Sequence, residues 1–151
     1  MQIGPQEYQL VVHEQLYPYR VEGRKGLDDE VRYLPSKVQR IYNETLQALN
    51  SKSPILAGIG LRALVETVCQ EKSAQGINLL RKIDDLTAKR VLTPVGAQIL
   101  HKIRTLGNAA AHAVKPHSEK QLGLAMDVIE HLLKDVYILP KQVMAEFEDN
   151  V

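Results

Sequence analysis

The residue types and spacings best suited to chemistry fall in one run, His101 to His112, in which Arg104, Asn108 and His112 stand one helical turn apart. On a helix, with His101 as zero, Arg104 falls at about −60°, Asn108 at about −20° and His112 at about +20°. Val95, Ile99, Ile103, Leu106 and Ala110 centre on about 170°, so the polar ridge is expected almost opposite the core-facing stripe. Gly107 and Ala109 to Ala111 strip bulk from beside the ridge, which lets a phosphate or a second backbone approach closely. Residues 78–117 carry seven basic side chains (Arg81, Lys82, Lys89, Arg90, Lys102, Arg104, Lys115) against Asp84 and Asp85, a balance of +5, whereas residues 1–34 balance at −2. An anion-facing surface therefore belongs in the middle of the chain, with His101, Lys102 and Lys115 flanking the ridge as candidate binding residues. The same residues also suit the wet side of an amphipathic helix, and spacing alone leaves both readings open.

Arg62 and Glu66, four apart, share a side with Ile55, Ile59 and Cys69 and are expected to neutralise each other while partly buried. Such a pair is either a rim salt bridge or a brace behind a neighbouring site. Other chemistries lack their residues. His112 and His117 have no acidic or thiol group nearby at metal-binding spacing, so no metal site is expected. Cys69 has no local basic partner and reads as packing. Gly58-Ile-Gly60 lies inside a helical pattern with no preceding strand, so it is not a phosphate loop, and no cofactor is implied.

Helices must position these residues. Pro35-Ser36 opens a helix to about Asn50 with Val38, Ile41, Tyr42, Thr45, Leu46 and Leu49 on one face. Ser53-Pro54 reads as a cap followed by proline at the first helical position, opening a second helix to about Lys72. That helix is apolar nearly all round and must be surrounded by others, with Gly58 and Gly60 permitting close approach. Asn78 caps a short third helix carrying Leu79, Leu80, Ile83 and Leu86, and Thr93-Pro94 opens a fourth to about Ala113. Ser118 with Gln121 forms a capping box for a fifth, whose inward face is Leu122, Ala125, Met126, Ile129, Leu132, Leu133 and Val136. Pro140 starts a short tail around Val143, Met144 and Phe147. The fold class is all-α, an antiparallel bundle of about five helices with a short extended N-terminal arm. The arm takes residues 1–33, including an alternating Tyr8, Leu10 and Val12 and an exposed loop at Gly23 to Asp29; the bundle takes 34–140 and the tail 141–151.

The run IRTLGNAAAH resembles the signature of the HEPN-like (higher eukaryote and prokaryote nucleotide-binding) helical superfamily. More closely, it resembles the bacterial domain-of-unknown-function family number 4145. LPSKVQRIYNETLQAL, with Tyr42, is similar to that family's opening helix, GLRALVE, with Arg62 and Glu66, to its second, and LLKDVYILP to its closing one. The resemblance spans residues 34–140 and implies a bundle that pairs through a two-fold interface. In the superfamily's catalytic branches an Arg and a His from each subunit line the cleft and cut RNA without metal. By that likeness His112 is the general base toward a ribose 2′-OH, Arg104 clamps the phosphate, and Asn108 orients the His or the scissile phosphate. The catalytic signature places four to six residues between Arg and His. Here seven intervene, which keeps both on one face but about 12 Å apart along the axis.

With 44% hydrophobic and 25% charged residues in 151, the chain is of ordinary soluble composition, which excludes disorder along its length. No apolar run approaches a membrane span and no signal pattern opens the chain, so it is expected in the cytoplasm and off the membrane. Two functions stand. One is a homodimeric RNA-binding module or metal-independent endoribonuclease acting in a defence or mobile-element setting. The other is a non-catalytic domain that holds a protein partner.

Overall fold

The computed structural model describes residues 23–113 and 117–147, and of 106–113 the backbone alone. The described residues are all-α. Six helices follow in order: α1 Ser36–Asn50, α2 Pro54–Glu71, α3 Leu79–Ala88, α4 Pro94–Ala113, α5 Glu119–Leu133 and α6 Leu139–Phe147. A 3-10 helix at Asp28–Tyr33 precedes them, and a π-helical turn at Lys134–Ile138 joins α5 to α6.

α2 is the axis of the bundle. It packs against α1, α3, α4 and α5, and it buries Ala57, Gly58, Leu61, Leu64, Val65, Thr67, Val68 and Cys69. Removing each large aliphatic from water is worth about 1.5–3 kcal/mol, so this helix supplies much of the driving force for collapse. Gly60 sets how near α1 comes: a Cβ there would stand 2.3 Å from Thr45 Oγ1. Thr45, itself buried, keeps its hydroxyl satisfied by donating to the Ile41 carbonyl at 2.8 Å.

Three of the expected helix starts have the expected chemistry. Asn78 Oδ1 accepts from the Arg81 N–H at 2.9 Å. Thr93 Oγ1 accepts from the Gly96 N–H at 3.0 Å. Ser118 and Gln121 close a reciprocal capping box. Ser53 does not cap α2: its side chain makes no cap bond and lies 3.3 Å from Ser51 Oγ, leaving Pro54 at the first position as the start signal.

Two expectations change at the ends. Of the proposed arm, residues 1–22, with Tyr8, Leu10 and Val12, lie outside the described residues. The part that is described is not extended: Asp28–Tyr33 is helical, with three acidic residues in its first turn, where the helix dipole favours them. Gly23 to Asp29 is not simply an exposed loop either, because Leu27 is buried and its N–H donates to Tyr42 Oη at 2.9 Å. At the other end, Pro140 does not interrupt the helix. It lacks the N–H that α-helical bonding to residue 136 requires, and the π turn just before it absorbs the mismatch, the Leu139 N–H reaching back to the Lys134 carbonyl. The chain is thereby helical from Glu119 to Phe147 without a loop.

Tyr42 is the knot between ends. Its hydroxyl donates to Glu130 Oε2 of α5 at 2.7 Å while accepting from Leu27. Burial first, and then the Glu130 carboxylate, push its pKa well above the ordinary phenol value. Arg24 completes the cluster, with Nη2 at 2.5 Å from Asp127 Oδ1 and 3.2 Å from Glu130 Oε1. Removing the hydroxyl leaves a buried N–H and a carboxylate short of partners, so Tyr42→Phe should cost about 1–3 kcal/mol in urea unfolding. Gly60→Ala should cost a similar amount through overpacking against Thr45, about 1–3 kcal/mol, and Thr45→Ala should recover part of that loss.

Candidate functional site

The core-facing side of α4 is Ala97, Leu100 and Ile103, all buried, while Val95 is 65% exposed. These three centre on about −100° on the angular scale used above, a quarter turn from the expected stripe and about 40° from Arg104. The start of the polar run therefore lies at the edge of the packed surface and not opposite it. Of the expected stripe, Ile103 is buried and Ile99 packs partly buried against the core, Val95 is exposed, and the side chains of Leu106 and Ala110 lie outside the described set.

His101 is engaged from α3. Its Nε2 lies 2.9 Å from Asp84 Oδ1, an ion pair when the ring is protonated and a hydrogen bond otherwise. Nδ1 is buried with no hydrogen-bond partner among the described residues. Asp84 was not singled out in the sequence. The available signal was that Asp84 and Asp85 are the two carboxylates in the basic stretch 78–117. Asp85 is engaged too, accepting from the Gln75 N–H at 2.8 Å and pairing with Lys89 Nζ at 2.9 Å. Those contacts, the Gln75 N–H first, hold its carboxyl below the usual range.

Arg62 does two things. Its Nε stands 3.4 Å from Glu66 Oε2, the expected pair, and its Nη1 donates to the Arg104 carbonyl at 3.1 Å. α2 thus grips the backbone of α4 at the residue that heads the ridge. The Arg104 side chain, partly exposed, carries a buried Nε with no partner among the described residues. Lys102 is exposed. Asn108 and His112 sit on the described backbone of α4, but their side chains lie outside the described set, and Lys115 lies outside the described residues altogether. The structure brings together His101 with Asp84, and Arg62 with Glu66 and the Arg104 main chain.

Beside this seam a groove of about 580 Å³ runs between α2 and α3, lined by Arg62, Glu66, Gln70, Asn78 and Lys82 among others. Its mixture of signs suits polar contacts more than a single strong anion. Among the described residues no set of three His, Cys, Asp or Glu is arranged to hold a metal ion, and no helix is long and apolar enough to cross a membrane. Cys69 is enclosed in the core, and burial pushes its thiol up to about 11.

A family model described as Domain of unknown function (DUF4145) matches residues 43–150, which takes in the later part of α1 and every helix after it. No curated protein and no solved structure matches the chain.

Arg62→Ala removes both the Glu66 pair and the grip on α4. It should raise amide hydrogen exchange along α4 selectively, at a cost of about 1–3 kcal/mol, and unchanged exchange there would show that the grip is idle. Arg62→Lys should recover little, since one ammonium lacks the planar fork that serves two acceptors. Cys69 should react with a thiol reagent at pH 8 orders of magnitude more slowly than free cysteine, and at the free rate once urea unfolds the chain.

Proposed function

Because the chain belongs to the DUF4145 family, we propose that it is a HEPN-like helical module that pairs through a two-fold interface and binds RNA along the Arg104, Asn108 and His112 stretch of α4. Arg104 carries this reading. Its main chain is gripped by Arg62 while the residue is partly exposed and its buried Nε has no partner among the described residues. A positioned, partly exposed cation suits a phosphate, and Lys102 beside it is exposed. Lys115 adds charge further along the chain. His101 stays with Asp84 and sets the stance of α4, so it supports the site from behind.

In this reading the bundle of 34–140 is the working unit, with the arm of 1–33 and the tail of 141–151 attached to it, acting in the cytoplasm as part of a defence or mobile-element system. His112 takes the proton of a ribose 2′-OH, that oxygen attacks the adjacent phosphorus, and the 5′-oxygen of the next nucleotide leaves. Arg104 stabilises the charge that develops on the phosphate. The long Arg–His interval makes binding the stronger function and cleavage a residual one. A second reading, a non-catalytic domain that holds a protein partner, is favoured by a different observation: α6 buries no residue and exposes Leu139, Val143, Met144 and Phe147.

Titration of a labelled single-stranded RNA at several salt concentrations separates the two. Binding should weaken with a slope of about −0.7 per phosphate neutralised, and Arg104→Ala should lower affinity about tenfold while removing about one such contact. In EDTA, His112→Ala should abolish cleavage and leave binding nearly intact. An absence of RNA binding at 50 mM salt would remove the RNA reading and leave the protein-partner one.

A further inference from the structure

α6 has the sequence of a buried helix and the surroundings of a solvated one. Leu139, Val143 and Phe147 follow one another at four-residue intervals with Met144 alongside, and they are 48%, 48%, 68% and 54% exposed respectively. The polar side of the same helix is the attached side: Lys141 Nζ donates to the Tyr33 carbonyl at 2.7 Å. An apolar stripe of this kind needs a groove.

The chain has such a groove at its opposite end. About 1100 Å³ in volume, it is floored by Ala48, Leu49, Ala57 and Leu122, and its rim carries Arg24, Lys25 and Lys52 against one carboxylate, Glu119. Two of the rim cations are held by exposed pairs that exchange at little cost, Lys25 with Asp28 at 3.4 Å and Lys52 with Glu119 at 3.9 Å, while Arg24 stays with Asp127 and Glu130. The sequence around Phe147 has the opposite sign, with Glu146, Glu148 and Asp149. Apolar stripe and apolar floor, acidic end and basic rim, are complementary.

A chain cannot join its own two surfaces. Leu122 lies in the first turn of α5, and from there to Phe147 the helix runs on with no loop in which to turn back. At about 1.5 Å per residue the two residues are on the order of 30 Å apart or more. Two copies side by side in opposite directions meet the requirement, because each then lays its α6 over the other's groove. One nine-residue helix offers a face about 14 Å long and about 10 Å wide, too little for a stable contact. A two-fold pair engages stripe and groove once from each copy and so doubles the contact.

We propose that the 139–147 helix of one copy docks in the groove between α1, α2 and α5 of a second copy, and reciprocally. The contact is separate from the α4 ridge and does not depend on RNA binding.

Two full-length preparations test it, one carrying Phe147→Cys and the other Lys52→Cys, with buried Cys69 left in place. Under mild oxidation the mixture should form a disulfide between positions 147 and 52, located by mass spectrometry of the non-reduced dimer, at least tenfold faster than any link in either preparation alone. Val143→Asp on the Phe147→Cys background should abolish it. In case that variant misfolds, Lys25→Glu on the groove copy should slow the link severalfold and Glu146→Lys on the helix copy should restore it. His112→Ala should leave the rate of the 147–52 link unchanged, which distinguishes this contact from pairing through α4. Absence of the 147–52 link at 50 µM, or a link indifferent to these substitutions, overturns the proposal. So does an intramolecular link between Tyr8→Cys and Lys52→Cys in one chain, which would give the groove to the chain's own first segment.

Discussion

The enclosure of α2 is the constraint from which the other helices take their places. A helix that is apolar on almost every side has to be covered on almost every side, and α1, α3, α4 and α5 do so. Gly60 brings α1 to the distance at which Thr45 touches the α2 backbone, so the approach of these two helices is set by the absence of one methyl group. The rotation of α4 follows from the same demand. Turning Ala97, Leu100 and Ile103 inward covers α2 and α3, and it carries Arg104 to the seam where Arg62 meets its carbonyl.

Polar contacts then hold what packing has arranged. The cluster of Arg24, Tyr42, Asp127 and Glu130 joins the start of the described chain to α1 and α5, and each member has at least one partner at hydrogen-bond distance. Such a network adds little net stability when complete and is costly when broken, so it specifies one arrangement of the segment before α1. His101 and Asp84 do the same for α3 and α4. Tyr137 is treated differently: its hydroxyl is buried with no partner among the described residues, while Lys72 Nζ stands 4.9 Å from its ring centre.

What the sequence disclosed was local. Asn78, Thr93 and Ser118 each act within three residues of themselves, and their caps form as their spacing requires. The all-α class and the central place of α2 follow from periodicity, which is also short-ranged. The face of α4 did not follow, because that helix carries two overlapping apolar stripes. One runs through Val95, Ile99 and Ile103 and the other through Ala97, Leu100 and Ile103, and only the packing of α2 and α3 decides between them. Within the candidate site, the Arg62 and Glu66 pair was legible at four residues' separation. The grip of Arg62 on the Arg104 carbonyl spans 42 residues and the His101 contact with Asp84 spans 17, distances at which no spacing rule applies.

The π turn at Lys134–Ile138 has a geometric outcome for everything after it. A wide turn holds about one residue more than an α-helical one, so the phase of the helix slips by roughly 100° across it. In an unbroken α-helix, Leu133 would be followed at heptad intervals by Pro140 and Phe147, and the last apolar residues would continue the inward line of α5. The slip swings them off that line and away from their own bundle. A single residue of surplus length thus works as a rotary offset, converting what would have been the last layer of a private core into an outward-facing surface.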